Sequence, residues 1–212
     1  MDLSNLKINF LGDSITFGAC ASSEENSYIG LLRKRYPNAV IRNYSIGGSC
    51  ISDKCLWGVP SFNERAEELD PDADLVVVFG GINDYSCATP LGRAGDRTEG
   101  TFYGACFCLF KKLLRRFHGK TVAVVTPLHR TEEDGTVCEG RTMVAPVSEY
   151  VRILKETAEY FAFPVIDLFA TSGFQPSIDF IRETYTTDGL HPNDLGHALL
   201  FRKMDGALRN IY

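Results

Sequence analysis

Residues 74–84 read Asp74-Leu75-Val76-Val77-Val78-Phe79-Gly80-Gly81-Ile82-Asn83-Asp84. An unbroken apolar run rich in β-branched side chains, bounded by an aspartate and a glycine pair, is the pattern of a strand buried on both faces, as in a parallel sheet. The glycines permit a tight turn at the strand's carboxyl end and set an amide, Asn83, just beyond it. Shorter runs of the same kind lie at Lys7 to Leu11, Ala39 to Ser45, Thr121 to Thr126 and Pro164 to Leu168. Between them the period changes to that of a helix. Glu24 to Tyr36 is acidic at its start and basic at its end, which suits the helix dipole. Phe62 to Leu69 reads as a short helix. Phe102, Ala105, Cys106, Leu109, Phe110, Leu113, Leu114 and Phe117 form one apolar stripe, and Val147, Tyr150, Val151, Leu154, Ala158 and Phe161 another. A last helix runs from about Asp194 to Ile211, after a long loop, and a polar loop covers about Leu128 to Arg141. Strands alternating with helices predict an α/β, doubly wound domain around a five-stranded parallel sheet. With no linker or internal repeat, residues 1–212 are read as a single domain.

The composition narrows the function classes. The chain has 212 residues, 44% hydrophobic and 23% charged, the balance of a globular protein and not of a disordered or coiled-coil one. A formal net charge of −5 leaves no basic footprint, so no nucleic-acid partner is expected. No apolar run reaches the ~18 residues that span a bilayer, so integral membrane association is not expected. Met1 to Asn9 lacks a basic segment followed by a long apolar one, and a cytoplasmic location is expected. The cysteines, Cys20, Cys50, Cys55, Cys87, Cys106, Cys108 and Cys138, number 7, an odd count without a repeating interval, so free and mostly buried thiols are expected. The absence of a Cys-x-x-Cys pair argues against a zinc site.

Nucleotide loops fail the test of spacing. Gly119-Lys120-Thr121 resembles the end of a phosphate loop, but Leu114 stands where its first glycine belongs, and neither Gly-x-Gly-x-x-Gly nor Gly-x-Ser-x-Gly occurs. Small polar residues do recur at strand ends: Ser14 after the first strand, Gly48 after the second and Asn83 after the third. In a doubly wound sheet these loops emerge at the carboxyl edge, where ligands bind. Near the other end of the chain, Thr187-Asp188-Gly189-Leu190-His191-Pro192-Asn193 places an acid three positions before a histidine, with Asn193 or Asp194 capping the last helix. An aspartate so placed can hold an imidazole in one tautomer and leave its other nitrogen to act as a base. With a serine added, a Ser-His-Asp triad is complete.

Four blocks in order, Gly12-Asp13-Ser14-Ile15, Asn43-Tyr44-Ser45-Ile46-Gly47-Gly48, Gly81-Ile82-Asn83-Asp84 and Asp188-Gly189-Leu190-His191-Pro192, resemble the SGNH hydrolases, also called the GDSL esterase/lipase family. The resemblance spans residues 12–192 and implies a flavodoxin-like three-layer α/β/α fold, serine ester hydrolysis and no cofactor. By the same resemblance Ser14 is the nucleophile, His191 the general base and Asp188 its orienter. The oxyanion hole falls to the backbone N–H groups of Ser14 and Gly48 and the side-chain amide of Asn83. Short-chain carboxylic esters, such as acetyl esters of carbohydrates, are the expected small-molecule substrates. A lipolytic acylhydrolase, of lysophospholipase or thioesterase type, and a non-catalytic ligand-binding module are the alternatives. Asp13 and Asp84 are expected as hydrogen-bonding struts, His197 as structural, and Trp57 as packing near the acyl or alcohol pocket. His118 is expected at a helix end and His129 in a loop, the lesser alternative being that His129, Arg130 and Arg141 line the cleft.

Overall fold

The computed structural model describes residues 2–212. Five strands, β1 (Lys7–Gly12), β2 (Val40–Asn43), β3 (Leu75–Phe79), β4 (Thr121–Val125) and β7 (Val165–Ile166), form one sheet in the order β2-β1-β3-β4-β7, every neighbouring pair parallel. That order is the flavodoxin-like one, in which the chain moves outward from β1 in one direction and from β3 in the other, so the crevice between their carboxyl ends is the switch point. Every residue of β3 is buried, the expectation for the central run. Each such Val or Leu contributes roughly 1.5–3 kcal/mol on leaving water.

The layers follow from the helix stripes. On one face α2 (Tyr28–Arg35) packs against α9 (Asp194–Ile211). Elsewhere α5 (Phe102–Arg116) packs against α3 (Phe62–Arg65) and α6 (Val147–Tyr160). Side-chain caps fix where these helices begin. Ser27 accepts from Gly30 N–H, Thr101 from Gly104 N–H and Asn193 from Gly196 N–H. Each cap is worth about 1 kcal/mol.

Several boundaries differ from the sequence reading, for local reasons. The stretch Glu24 to Tyr36 is broken: Glu24–Asn26 is a 3-10 turn, Ser27 is extended, and α2 begins anew at Tyr28. A Cβ on Gly30 would lie 2.2 Å from Glu24 O, so this close crossing requires glycine. Phe62 to Leu69 shortens to α3, which opens with a capping box between Ser61 and Glu64. The polar loop at 128–141 carries a small antiparallel hairpin, β5 (Val137–Cys138) and β6 (Arg141–Thr142). The long loop before α9 holds two further helices, α7 (Leu168–Thr171) and α8 (Asp179–Tyr185). The remaining helices, α1 (Ser14–Phe17) and α4 (Ile82–Ser86), are single turns that start where β1 and β3 end. Among the described residues, no helix is long and apolar enough to cross a membrane.

Candidate active site

Asp13 starts the site by ending β1. Its carboxylate accepts from Ile15 N–H at 3.0 Å and caps α1, so Ser14 occupies the first helical position. Residues at that position have no intrahelical partner for their N–H. Ser14 Oγ lies 3.0 Å from His191 Nε2, and His191 Nδ1 lies 2.7 Å from Asp188 Oδ2. A carboxylate only accepts, so Nδ1 carries a proton, and the tautomer with its proton there alone turns the Nε2 lone pair toward the Ser14 hydroxyl.

The loop before α9 is built to hold that line. Asp188 Oδ1 accepts from the backbone N–H of Leu190 at 2.9 Å and of His191 at 2.7 Å, so both carboxylate oxygens are committed. Burial pushes the Asp188 carboxyl up, but the His191 ring and the two backbone donors outweigh it and hold the group below its ordinary value. Gly189 sits at φ +82°, and Thr131 occupies the space next to it, 2.6 Å from where a Cβ would stand. Thr131 N–H also donates to Gly189 O at 3.1 Å. The segment after β4 thus buttresses the Asp188 turn.

The other two strand-end loops meet Ser14 from the far side. A Cβ on Gly47 would lie 3.7 Å from Ser14 Cβ, and Ile46 N–H donates to Gly12 O at 3.2 Å. Asn83, in the first turn of α4, donates from Nδ2 to Ser49 O at 3.0 Å, which joins the β3 loop to the β2 loop. Among the described residues, the backbone N–H groups of Ser14 and Gly48 take no hydrogen-bond partner. Gly48 has φ +77°, and a Cβ there would stand 3.4 Å from the Trp57 ring, which leans on it. Trp57 is 42% exposed, so the packing expected of it is realised on one face only.

All five residues singled out for the triad and the oxyanion hole therefore fall on loops or first helical turns around the β1/β3 crevice. Ser14, His191 and Asp188 are in direct contact. Asp84 acts as a strut, its carboxylate accepting from Ile51 N–H at 2.8 Å and Ser52 N–H at 3.0 Å. His197 is buried and structural: Nδ1 accepts from Tyr28 N–H at 3.3 Å, Nε2 faces Ala19 O at 3.2 Å, and burial lowers its pKa. The lesser alternative for the loop after β4 is not realised at Arg130, which is buried and donates to Ser86 Oγ at 2.7 Å and Glu139 at 3.2 Å. His129 pairs with Glu133 at 2.9 Å and lies against the Phe169 ring. Of the thiols, Cys50, Cys87, Cys106 and Cys138 are buried, while Cys20 is exposed.

Sequence reasoning missed Arg65. Its guanidinium, 1% exposed, donates to Gly12 O at 3.2 Å, to Ser49 Oγ at 2.7 Å and to Tyr44 O, and so pins the Ser14 and Gly48 loops together from below. The signal was present: Phe62, Arg65, Ala66 and Leu69 share one helical face, which puts a cation on an apolar stripe.

Burial raises two carboxyls here, Asp13 to about 7 and Asp84 to about 6. Their pKa values in the unfolded chain are near the ordinary 3.8. Between these limits the folded protein holds protons that the unfolded chain releases, so both groups make stability fall as pH rises from about 4 to 7. Asp13→Asn keeps the acceptor for Ile15 N–H and removes one titration. Urea unfolding at pH 5 and pH 8 should show the variant losing less stability than wild type on going to pH 8. The effect of Asp13 across its full window is on the order of 4 kcal/mol. Equal losses in the two proteins would show that Asp13 does not titrate in that range.

Solved structures of other proteins share this fold over the whole length of the chain. A solved structure 31% identical to the chain has a TM-score of 0.88 and covers 100% of this chain and 99% of its own. A structural-genomics target from Lactobacillus plantarum is 27% identical with a TM-score of 0.87, covering 100% of each chain. An acetyl xylan esterase shares the fold at 24% identity and a TM-score of 0.67, covering 96% of this chain and 100% of that one. No curated protein sequence matches. With a Ser-His-Asp line at the switch point of a flavodoxin-like sheet, and with the family model matching residues 10–199, the chain belongs to the GDSL-like lipase/acylhydrolase family.

Proposed function

We propose that the protein is a serine ester hydrolase that cleaves short-chain carboxylic esters through an acyl-enzyme, with acetyl esters of carbohydrate-type alcohols as the favoured class. The observation that carries this reading is the continuous line from Ser14 Oγ to His191 Nε2 at 3.0 Å and from His191 Nδ1 to Asp188 Oδ2 at 2.7 Å. In the first half-reaction His191 takes the Ser14 proton as Oγ attacks the ester carbonyl. The negative oxygen that develops is met by the N–H groups of Ser14 and Gly48 and by Asn83 Nδ2. His191 then gives its proton to the departing alcohol. Water, deprotonated by the same ring, releases the acid from Ser14. Asp188 stabilises the imidazolium formed in each step and does not itself take the proton.

The substrate preference has support from the acetyl xylan esterase of the same fold. The unpaired thiols suit a reducing compartment, the cytoplasm, as the setting. One observation favours the lipolytic alternative. Trp57, which leans on Gly48, is 42% exposed and its neighbour Leu56 56%, an apolar rim on the Gly48 loop. A series of p-nitrophenyl esters from acetate to laurate, together with acetylated sugars, separates the two. Acetate and butyrate esters are expected to turn over fastest, and acetate to be released from the sugars. A kcat/KM that climbs toward laurate would assign the rim to long acyl chains. Absence of turnover on every ester would overturn the hydrolase reading in favour of a binding module, and full activity in Ser14→Ala would remove Ser14 as the nucleophile.

A further inference from the structure

Behind the Gly48 and Asn83 loops lies a pair of thiols that ester hydrolysis does not use. Cys50 follows Gly48 by two residues, and its Sγ lies 3.5 Å from that of Cys87, with Cys50 as the donor. Cys87 caps α4, where its N–H donates to Asn83 O at 2.8 Å. The two cysteines therefore sit on the two segments that supply the oxyanion donors. Asp84, holding Ile51 N–H and Ser52 N–H, and Asn83, holding Ser49 O, already tie those segments together. Cys50 is fully buried, whereas Cys87 is 8% exposed, so a small oxidant reaches Cys87 first.

The geometry points to Cys50 and Cys87 as a reversible oxidation site, a dithiol that a peroxide converts to a disulfide directly beneath the oxyanion hole. The Cys87 sulfur, as thiolate, attacks one peroxide oxygen and breaks the O–O bond, giving a sulfenic acid and one water after protonation. The Cys50 sulfur then attacks the Cys87 sulfur and releases its hydroxyl as a second water. The two thiols are oxidised by two electrons and the peroxide is reduced by two. Hydrogen bonding from the Cys50 thiol holds the Cys87 thiol below its ordinary value, and the nearby Arg141 guanidinium acts in the same direction.

Closure to a disulfide moves the sulfurs from 3.5 Å to about 2.05 Å. Such a movement shifts the Ser49 carbonyl that orients Asn83, and a misplacement of about 1 Å in a catalytic array costs about 100-fold in rate. This kinetic consequence rests on the esterase reading above; the bond itself does not.

The test is hydrogen peroxide treatment of the whole chain, in wild type and in Ser14→Ala, followed by non-reducing peptide mapping. A Cys50–Cys87 cross-link with loss of two hydrogens is expected in both proteins. In wild type kcat on p-nitrophenyl acetate is expected to fall at least 10-fold, with recovery in dithiothreitol. Cys87→Ser and Cys50→Ala are expected to keep basal activity and lose the response. No Cys50–Cys87 cross-link in either protein would overturn the site, and a cross-link that leaves kcat unchanged would overturn its effect on the hole. If wild type hydrolyses no ester, the mapping in Ser14→Ala still decides the site.

Discussion

Ser14→Ala, His191→Ala and the double variant are expected to hydrolyse p-nitrophenyl acetate at one common residual rate, roughly 10⁴- to 10⁶-fold below wild type. The reason for a shared floor is that the two residues act as one device. Among the described residues, Ser14 Oγ bonds no other base than His191 Nε2, at 3.0 Å, and His191 has no nucleophile to activate once the hydroxyl is gone. The residual rate then comes from the oxyanion donors and from binding. Asp188→Asn tests the third member differently. Its amide nitrogen facing Nδ1 reverses the imidazole tautomer, so that Nε2–H points at the hydroxyl it should deprotonate, a change worth about 10⁴-fold in serine enzymes with a buried aspartate. Asp188 is 49% exposed on its side chain, so water has access to the ring nitrogen and a smaller loss is expected. Additive losses for Ser14→Ala and His191→Ala, measured by initial rates with active-site titration, would mean that the two do not share a step.

What sequence carried and what it did not divide along the distance over which information is written. The β3 run, the Gly80-Gly81 turn and the Asp188-to-His191 interval are local patterns, and each set its element without reference to the rest of the chain. The limits of α2 depended on Gly30 passing Glu24 O, a contact whose two sides are separately unremarkable in sequence. Residues 128–141 read as polar loop because Arg130, Glu132, Glu133 and Glu139 are charged. The fold buries Arg130 by supplying Ser86 from a distant helix, and the Tyr85 hydroxyl donates to Glu132 O at 2.6 Å. Arg65 illustrates the same limit at the site itself. Its partners, Gly12, Tyr44 and Ser49, lie on two other strand-end loops, and only the closed sheet brings their acceptors to one point. Its burial lowers its own pKa to about 10, and the charge of Asp13 works against that shift. An apolar residue of similar volume would take the Arg65 donor from Tyr44 O and leave Gly12 O with Ile46 N–H alone, which is costly for buried carbonyls.

Asn83→Ala is expected to lower kcat on short esters by about 100- to 1,000-fold, 2.7–4 kcal/mol, with little change in KM. The size of the loss depends on how the amide is held. Asn83 is buried, and one N–H of Nδ2 is spent on Ser49 O at 3.0 Å. That bond fixes which end of the amide faces the β2 loop, because a carbonyl oxygen there would oppose the Ser49 carbonyl. In the proposed reaction the second N–H is thereby left to meet the oxygen that gains charge as Ser14 attacks. The ester oxygen gains much less from it before reaction, so the loss falls on kcat and not on KM. Asn83→Asp separates aiming from mere occupancy. Its shape is nearly that of asparagine, yet an ionised carboxylate presents no donor to Ser49 O and repels the developing oxyanion. It should therefore be slower than Asn83→Ala at neutral pH, and lowering the pH until the carboxyl protonates should recover part of the difference relative to the alanine variant. A rate for Asn83→Asp equal to wild type, or a KM rise with kcat preserved in Asn83→Ala, would place Asn83 in substrate binding and remove it from the oxyanion hole.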